Sequence, residues 1–290
     1  MSKHKERLDK MLVKFGFFDT RERAKKAIMA GLVRVDGRAH TKAGDQVSVM
    51  LEKHQVTVKG DAIPFVSRGG LKLARGLRVF DFPVAGKTFL DIGASTGGFT
   101  DCLLQNGASR VIAADVGYGQ FDWKLRNDSR VICLERTNFR YAGPDTLPGL
   151  DTPADGSVMD VSFISMLKMM PAIYRCVKPG ALGIWLIKPQ FEVGKEKVGK
   201  HGVVRDPAVH REAIAQTAAG IEAAGFSVAG LDYSPIRGPR GNIEFLCLTR
   251  KEAPAAEVAH DEAVSGAAAI EALVTRAHRH YQNGESEETK

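Results

Sequence analysis

The stretch Thr88-Phe89-Leu90-Asp91-Ile92-Gly93-Ala94-Ser95-Thr96-Gly97-Gly98-Phe99-Thr100-Asp101 leaves few folds open. A run of buried-strand type passes directly into a glycine-rich turn and then into a helix starting near Gly98. The rhythm continues downstream, with strands expected at 110–116, 131–135, 157–161, 181–187, 226–232 and 244–248. Helices fall between most of them, and 165–176 and 208–224 are the clearest. A further helix over 70–80 precedes the first strand, with Leu71, Ala74, Leu77 and Arg78 at helical spacing. Strands alternating with helices predict an α/β fold whose parallel-type sheet is covered on both faces.

A chain of 290 residues has room for a second domain, and the N-terminal part has a different pattern. Leu8, Met11, Leu12 and Phe15 form one apolar stripe on a short helix that Gly16 ends. Asp19 or Thr20 can cap a second helix, with Glu22 three residues after Asp19 as in a capping box. That helix carries Ala24, Ala27 and Ile28 inward and stops at Gly31. Val33 and Val35 then alternate with polar residues before the turn pair Asp36-Gly37, and Val47, Val49 and Leu51 suggest another strand. Residues 1–66 hold 14 Lys and Arg against 8 Asp and Glu, net +6, the densest basic excess in the chain. That favours a polyanionic partner, nucleic acid before membrane.

The phrases Arg7-Leu8-Asp9, Arg23-Ala24-Lys25-Lys26-Ala27-Ile28 and Gly31-Leu32-Val33-Arg34-Val35-Asp36-Gly37 resemble the S4 RNA-binding domain over about residues 5–52. The resemblance implies an RNA-phosphate surface, for which the candidates are Arg7, Lys10, Arg21, Arg23, Lys25, Lys26, Arg34 and, just beyond, Arg68. The expected division is an S4-like domain at 1–60, a linker at 61–67, a catalytic domain at 68–250 and an acidic, alanine-rich tail at 251–290. The tail is expected to be mobile apart from one possible helix over 263–277 with Ile270, Leu273 and Val274 on its apolar face.

The glycine-rich turn has chemical content. A dinucleotide site wants G-x-G-x-x-G against a pyrophosphate, whereas the glycines here are Gly93, Gly97 and Gly98. The strand also ends in Asp91, a carboxylate that repels pyrophosphate but suits a cationic amino-acid group. S-adenosylmethionine carries an ammonium and a sulfonium and no phosphate, so the methyl donor is favoured over a nicotinamide cofactor. Asp115 closes the next strand, where an acid can accept from ribose hydroxyls. The candidate cofactor residues are Asp91, Gly93, Ser95, Thr96, Gly97, Gly98, Phe99, Asp115, Val116 and Asp160.

Four charged residues abut apolar runs: Lys72 in Ser-Arg-Gly-Gly-Leu-Lys-Leu, Asp160 after Val158-Met159, Lys188 after Ile184-Trp185-Leu186-Ile187, and Glu244 before Phe245-Leu246. Burying an unpaired charge costs several kcal/mol, so these are expected to pair at one rim of the sheet, where α/β enzymes bind ligands. Their motifs are similar to the Lys-Asp-Lys-Glu tetrad of FtsJ-like RNA ribose 2′-O-methyltransferases. With the S4-like N-terminus, the chain to about Arg250 resembles the TlyA family of bacterial rRNA 2′-O-methyltransferases. The resemblance implies a Rossmann-like S-adenosylmethionine-dependent domain behind a small α+β domain, acting on cytidine 2′-hydroxyls of ribosomal RNA or ribosomal subunits. It makes Lys72, Asp160, Lys188 and Glu244 the catalytic candidates.

The reaction needs no metal in this reading. The sulfonium methyl is already activated, so the enzyme must align the hydroxyl and help remove its proton. Lys188 is expected nearest that hydroxyl, as base or as a charged stabiliser of the developing alkoxide. A free lysine titrates near pH ~10.4, so a base role requires its proton affinity to fall about a thousandfold. Lys72 and burial push that way, and the two acids oppose it. Segment 193–202, with glycine hinges and Lys195, Lys197, Lys200 and His201, is either a lid over substrate phosphate or a solvated loop.

Other readings stay in view. A non-catalytic RNA- or ribosome-binding factor could keep the fold, and members of the resembling family are also labelled hemolysins. Against a membrane-lytic role, no stretch approaches the ~20 apolar residues of a span and the tail is net acidic. The charged N-terminus leads into no signal core, and Cys102, Cys133, Cys176 and Cys247 are too far apart for a metal knuckle. A cytoplasmic enzyme with reduced thiols is the expectation.

Overall fold

In a computed structural model the chain divides into two compact units, Met1–Arg68 and Gly69–Lys290. The residues described are 5–18, 20–42, 44–58, 64–253 and 258–287, with side chains described as far as 282.

The first unit is α+β. Its elements are β1 (Lys5–Arg7), α1 (Leu8–Lys14), α2 (Arg21–Met29), β2 (Val33–Val35), β3 (Arg38–His40), β4 (Gln46–Ser48) and β5 (Val56–Val58). Strand β1 pairs antiparallel with β4, and β3, β2 and β5 form a second antiparallel sheet. Leu8, Leu12, Ala24, Ile28 and Val33 make a dry core between them. Asp36 and Gly37, both at positive φ, form the two-residue turn that suits the twist of the β2–β3 hairpin.

One alternative is resolved here and one expectation changes. Thr20 caps α2, accepting from the Arg23 amide at 3.3 Å, and Asp19 lies outside the described residues. The strand expected through Val47, Val49 and Leu51 stops at Ser48, because a turn from Ser48 to Leu51 leaves Val49 exposed and returns only Leu51 to the core. After it, β5 completes the sheet on β2, and the first compact unit runs to Arg68.

The second unit follows the strand–helix alternation. It comprises α3 (Gly69–Val79), β6 (Thr88–Ile92), α4 (Gly98–Gln105), β7 (Arg110–Ala114), α5 (Trp123–Arg126), β8 (Val131–Leu134), β9 (Ala154–Met159), α6 (Met170–Cys176), β10 (Val177–Ile187), α7 (Pro189–Glu192), α8 (Pro207–Ala223), β11 (Phe226–Tyr233), β12 (Phe245–Lys251), α9 (Glu262–Ser265) and α10 (Ala267–Glu287). Seven strands form one sheet in the order β11-β12-β10-β9-β6-β7-β8. The order reverses between β6 and β9, the switch point at which open α/β sheets form a ligand crevice.

The sheet is not wholly parallel, as the alternation had suggested. Strand β12 runs antiparallel to both β10 and β11. The turn after β11 brings the chain straight back without a helical crossover, which an antiparallel pair permits. As a result the start of β12 lies beside the end of β10, with Phe245 opposite Ile187.

The tail also departs from expectation. Ile270, Leu273, Val274, Ala277 and Tyr281 of α10 are buried in the same core as Trp185 and Phe245. The expected helix over 263–277 is present, its greater part within the longer α10, and its apolar stripe extends a turn beyond 277 to Tyr281. Among the described residues no helix is long and apolar enough to cross a membrane.

Candidate active site

The end of β6 shows why the turn needs its glycines. Gly93 sits at φ +81, and a Cβ there would meet the Asp160 carbonyl oxygen at 3.0 Å. The Gly93 amide donates to the Ala114 carbonyl at 2.9 Å and the Asp160 amide to the Ile92 carbonyl at 3.0 Å, so the turn ties three strand ends together. Gly97, at φ +93, starts α4 against Leu125 and Phe121, with no space for a side chain. Ser95 holds φ +51 without being glycine, a conformation that carries modest strain and clusters at ligand sites.

Asp91 is wholly buried. One carboxylate oxygen accepts from Thr100 Oγ1 at 2.6 Å, and the other has no partner. Burial pushes its pKa up to about 7, against the Thr100 hydrogen bond and with further upward pressure from Asp160. Such a group is ready for a cation, whose arrival restores the carboxylate. Asp115 is half-buried and accepts from the amides of Ser95 at 2.8 Å and Gly117 at 2.6 Å, shaping the neighbouring loop. Around them Gly98 and Phe99 are buried, Thr96 is half-buried, and Ser95 and Val116 are exposed.

The four charged residues from distant motifs meet. Lys72 Nζ lies 2.5 Å from Glu244 Oε2 and 3.3 Å from Asp160 Oδ2, and Lys188 Nζ lies 2.6 Å from Asp160 Oδ1. Asp160 thus bridges the two lysines. Asp160 and Lys188 follow the ends of parallel strands, while Glu244 precedes a strand, and the reversed β12 brings it to their rim. Burial disfavours the charge on Lys72, yet Asp160 and Glu244 outweigh it and raise its pKa. Burial likewise opposes ionisation of Asp160, and the two lysines prevail and lower it. A buried charge cluster stabilises a fold little compared with apolar packing, so its presence calls for another reason.

The charge-based reading missed the neutral partners. Ser162 accepts from Lys188 Nζ at 2.7 Å, and Thr100 holds Asp91. Phe163 is 79% exposed at φ +65, with Phe191 at 5.3 Å and the Arg240 guanidinium 6.0 Å from its ring. Ser162 and Phe163 stand in the same phrase as Asp160, but an uncharged residue beside an acid gives no signal unless the turn geometry is known. Segment 193–202 forms two short 3-10 turns. Lys197 pairs with Glu212, and buried Asn242 accepts from the Val204 amide and donates to the Gly202 carbonyl, both at 2.9 Å. Lys195, Lys200 and His201 are exposed. Among the described residues no cluster of three or more His, Cys, Asp or Glu is arranged to hold a metal.

In the first unit the basic candidates are organised around an acid. Asp9 is buried, with Arg7 Nε at 2.9 Å and Arg21 Nη2 at 3.1 Å. Burial raises its proton affinity, but the two guanidiniums overcome that and leave its pKa lowered. Lys10 pairs with Glu6 and Lys25 with Glu22, surface contacts worth little, while Arg23 and Lys26 are exposed on α2. Arg34 donates to the Gly37 carbonyl at 3.2 Å, and Arg68 is half-buried.

Comparison with known proteins gives a consistent result. Residues 65–251 match the FtsJ-like methyltransferase family and residues 6–52 the S4 domain. A Bacillus subtilis protein described as a candidate rRNA methyltransferase, YqxC, is 49% identical over 247 residues, 85% of this chain and 86% of its own length. The Mycobacterium tuberculosis 16S/23S rRNA (cytidine-2′-O)-methyltransferase TlyA is 42% identical over 246 residues, 85% of this chain and 90% of the relative. A solved Streptococcus thermophilus structure, described as a candidate hemolysin, has a TM-score of 0.76 at 41% identity, covering 98% of this chain and 100% of that one.

Proposed function

The chain belongs to the FtsJ-like methyltransferase family, in its TlyA group, and from that premise we propose that it methylates a ribose 2′-hydroxyl of ribosomal RNA, on cytidine, using S-adenosylmethionine. The observation that carries this reading is the joining of Lys72, Asp160, Lys188 and Glu244 next to a buried Asp91 oxygen with no partner.

The donor supplies a methyl group already activated on a sulfonium. Asp91 would hold its ammonium, and Asp115 and Val116 would take its ribose and base. The turn from Gly93 through Phe99 lets the backbone approach closely. Lys188 and Ser162 then orient the 2′-hydroxyl, and Lys188 takes its proton or offsets the charge left on oxygen. Asp160 fixes both lysines, and Glu244 holds Lys72 as a permanent positive charge against the second face of Asp160. The exposed Phe163 ring gives an unstacked base an aromatic surface beside the chemistry.

The S4 unit supplies sequence-independent grip through Arg7, Lys10, Arg21, Arg23, Lys25, Lys26, Arg34 and Arg68. The substrate places the protein in the cytoplasm with ribosomal subunits.

The test is incubation of ribosomal subunits and naked rRNA with radiolabelled S-adenosylmethionine, followed by nucleotide mapping. The expected result is label on a cytidine ribose. Label on a base would defeat the ribose assignment, and no label on any RNA form would leave a binding factor without chemistry.

A further inference from the structure

The C-terminal helix α10 lies beyond the segment that matches the methyltransferase family, yet it reaches the strand end that carries Glu244. Buried Tyr281 donates its hydroxyl to the Ser234 carbonyl at 2.6 Å. The Ser234 amide donates in turn to the Glu244 carbonyl at 2.9 Å. One residue earlier, His280 lies against the Tyr233 ring, with centroids 5.2 Å apart.

The same strand end is gripped by α3. Arg75, three residues after Lys72, places Nε 2.6 Å from Asp232 Oδ2 and its guanidinium 4.2 Å from the Tyr233 ring centroid. The end of β11 is therefore held from two helices, and one of them carries Lys72. Glu244, directly across the ladder, must meet Lys72 at 2.5 Å with almost no free volume, since a Cβ on Gly238 would strike its carboxylate. A helix serving only as core would need the apolar stripe and no hydroxyl aimed at the residue paired with Glu244.

We infer that Tyr281 is a positioning residue of the active site: its hydroxyl holds Ser234 and thereby sets where Glu244 meets Lys72. The inference rests on the catalytic role proposed for the tetrad. Tyr281 touches no reacting atom and acts through Ser234 and Glu244. Its contribution falls on the rate of the chemical step, because the clamp leads to the lysine–carboxylate cluster and not to Asp91 or the S4 unit.

The experiment compares wild type, Tyr281→Phe and Leu273→Ala as full chains. It measures kcat for methyl transfer to rRNA, KM for S-adenosylmethionine and for RNA, and thermal melting. Tyr281→Phe is expected to lower kcat about tenfold, since small misplacements cost rate steeply, with both KM values within twofold. Leu273→Ala removes apolar packing on the same helix, and is expected to lower the melting temperature while kcat per folded molecule holds. An unchanged kcat in Tyr281→Phe, or an equal loss in Leu273→Ala, would overturn the inference with the proposed function intact. A wild-type chain that transfers no methyl group would overturn the proposed function and this inference with it.

Discussion

Each unit of the chain buries one carboxylate between two cations, and the two arrangements differ in what is hidden. Around Asp9 the anion is inside while the guanidiniums of Arg7 and Arg21 remain 35% and 46% exposed. Around Asp160 the lysines themselves are inside, each 7% exposed. The first arrangement fixes two planar forks at a surface, which on the proposed function would meet phosphate at little further entropy cost. The second removes two ammonium groups from water, where each proton's position becomes sensitive to its neighbours. On the proposed function, the first cluster would hold an extended polyanion and the second would act on a single atom.

The largest expected effect breaks the second cluster. Lys188→Ala is expected to cost about 10²–10⁴-fold in kcat, the usual range for a proton-handling residue, while RNA affinity in filter binding stays near wild type. Equal loss of both would erase the distinction between the clusters. Asp160→Asn leaves Lys72 and Lys188 facing one another without their bridge. Removing one partner of a buried pair costs about 3–5 kcal/mol, so chemical denaturation should show a large loss of stability. Arg21→Ala in the exposed cluster should instead weaken RNA binding several-fold, lower the slope of log affinity against log salt by just under one unit, and act on KM for RNA rather than kcat.

Smaller effects separate the units by pH. His210, packed against His278 at 2.9 Å and against Phe245, has its pKa pushed down to about 4 by burial first and by His278 second. The unfolded chain then binds more protons between about pH 6.5 and 4, so this contribution to stability is complete above 6.5 and is lost as pH falls through that window. Asp9, with a lowered folded pKa, gives up its contribution only below the ordinary carboxylate range. Trp123 and Trp185 both belong to the second unit, so tryptophan fluorescence should report its acid loosening before amide exchange reports that of the first. Asp91 has the opposite sign. Its raised folded pKa makes the donor-free protein less stable as pH rises from about 4 to about 7, so Asp91→Asn should melt a few degrees higher at pH 8, no higher at pH 4, and fail to bind the donor.

Much of this molecule was readable before its coordinates. Charges next to Val158-Met159, Ile184–Ile187 and Phe245-Leu246 could not be idle, and the structure does bring Lys72, Asp160, Lys188 and Glu244 together. The glycine spacing after Asp91 likewise marked the crevice. What escaped was whatever depends on direction or neutral contact. The reversal of β12 leaves no mark on hydropathy, because a buried strand has the same composition either way. Thr100 and Ser162 carry no charge to draw attention. In the tail the helix and its face of Ile270, Leu273 and Val274 were legible, whereas its continuation to Tyr281 and its burial in the core of the second unit depend on contacts far away in the chain. Phe163 is exposed on a backbone at φ +65, which a local pattern does not reveal.

The reversed strand also imposes an order on synthesis. Lys72, Asp160 and Lys188 leave the translating ribosome before Glu244, which joins them only once β11 has carried the chain to the same rim and β12 begins its return along β10. N-terminal units fold as they emerge. A nascent chain therefore has its S4 domain before its charge cluster is complete, so on the proposed function a stalled or clipped product would compete for ribosomal sites it is unable to mark.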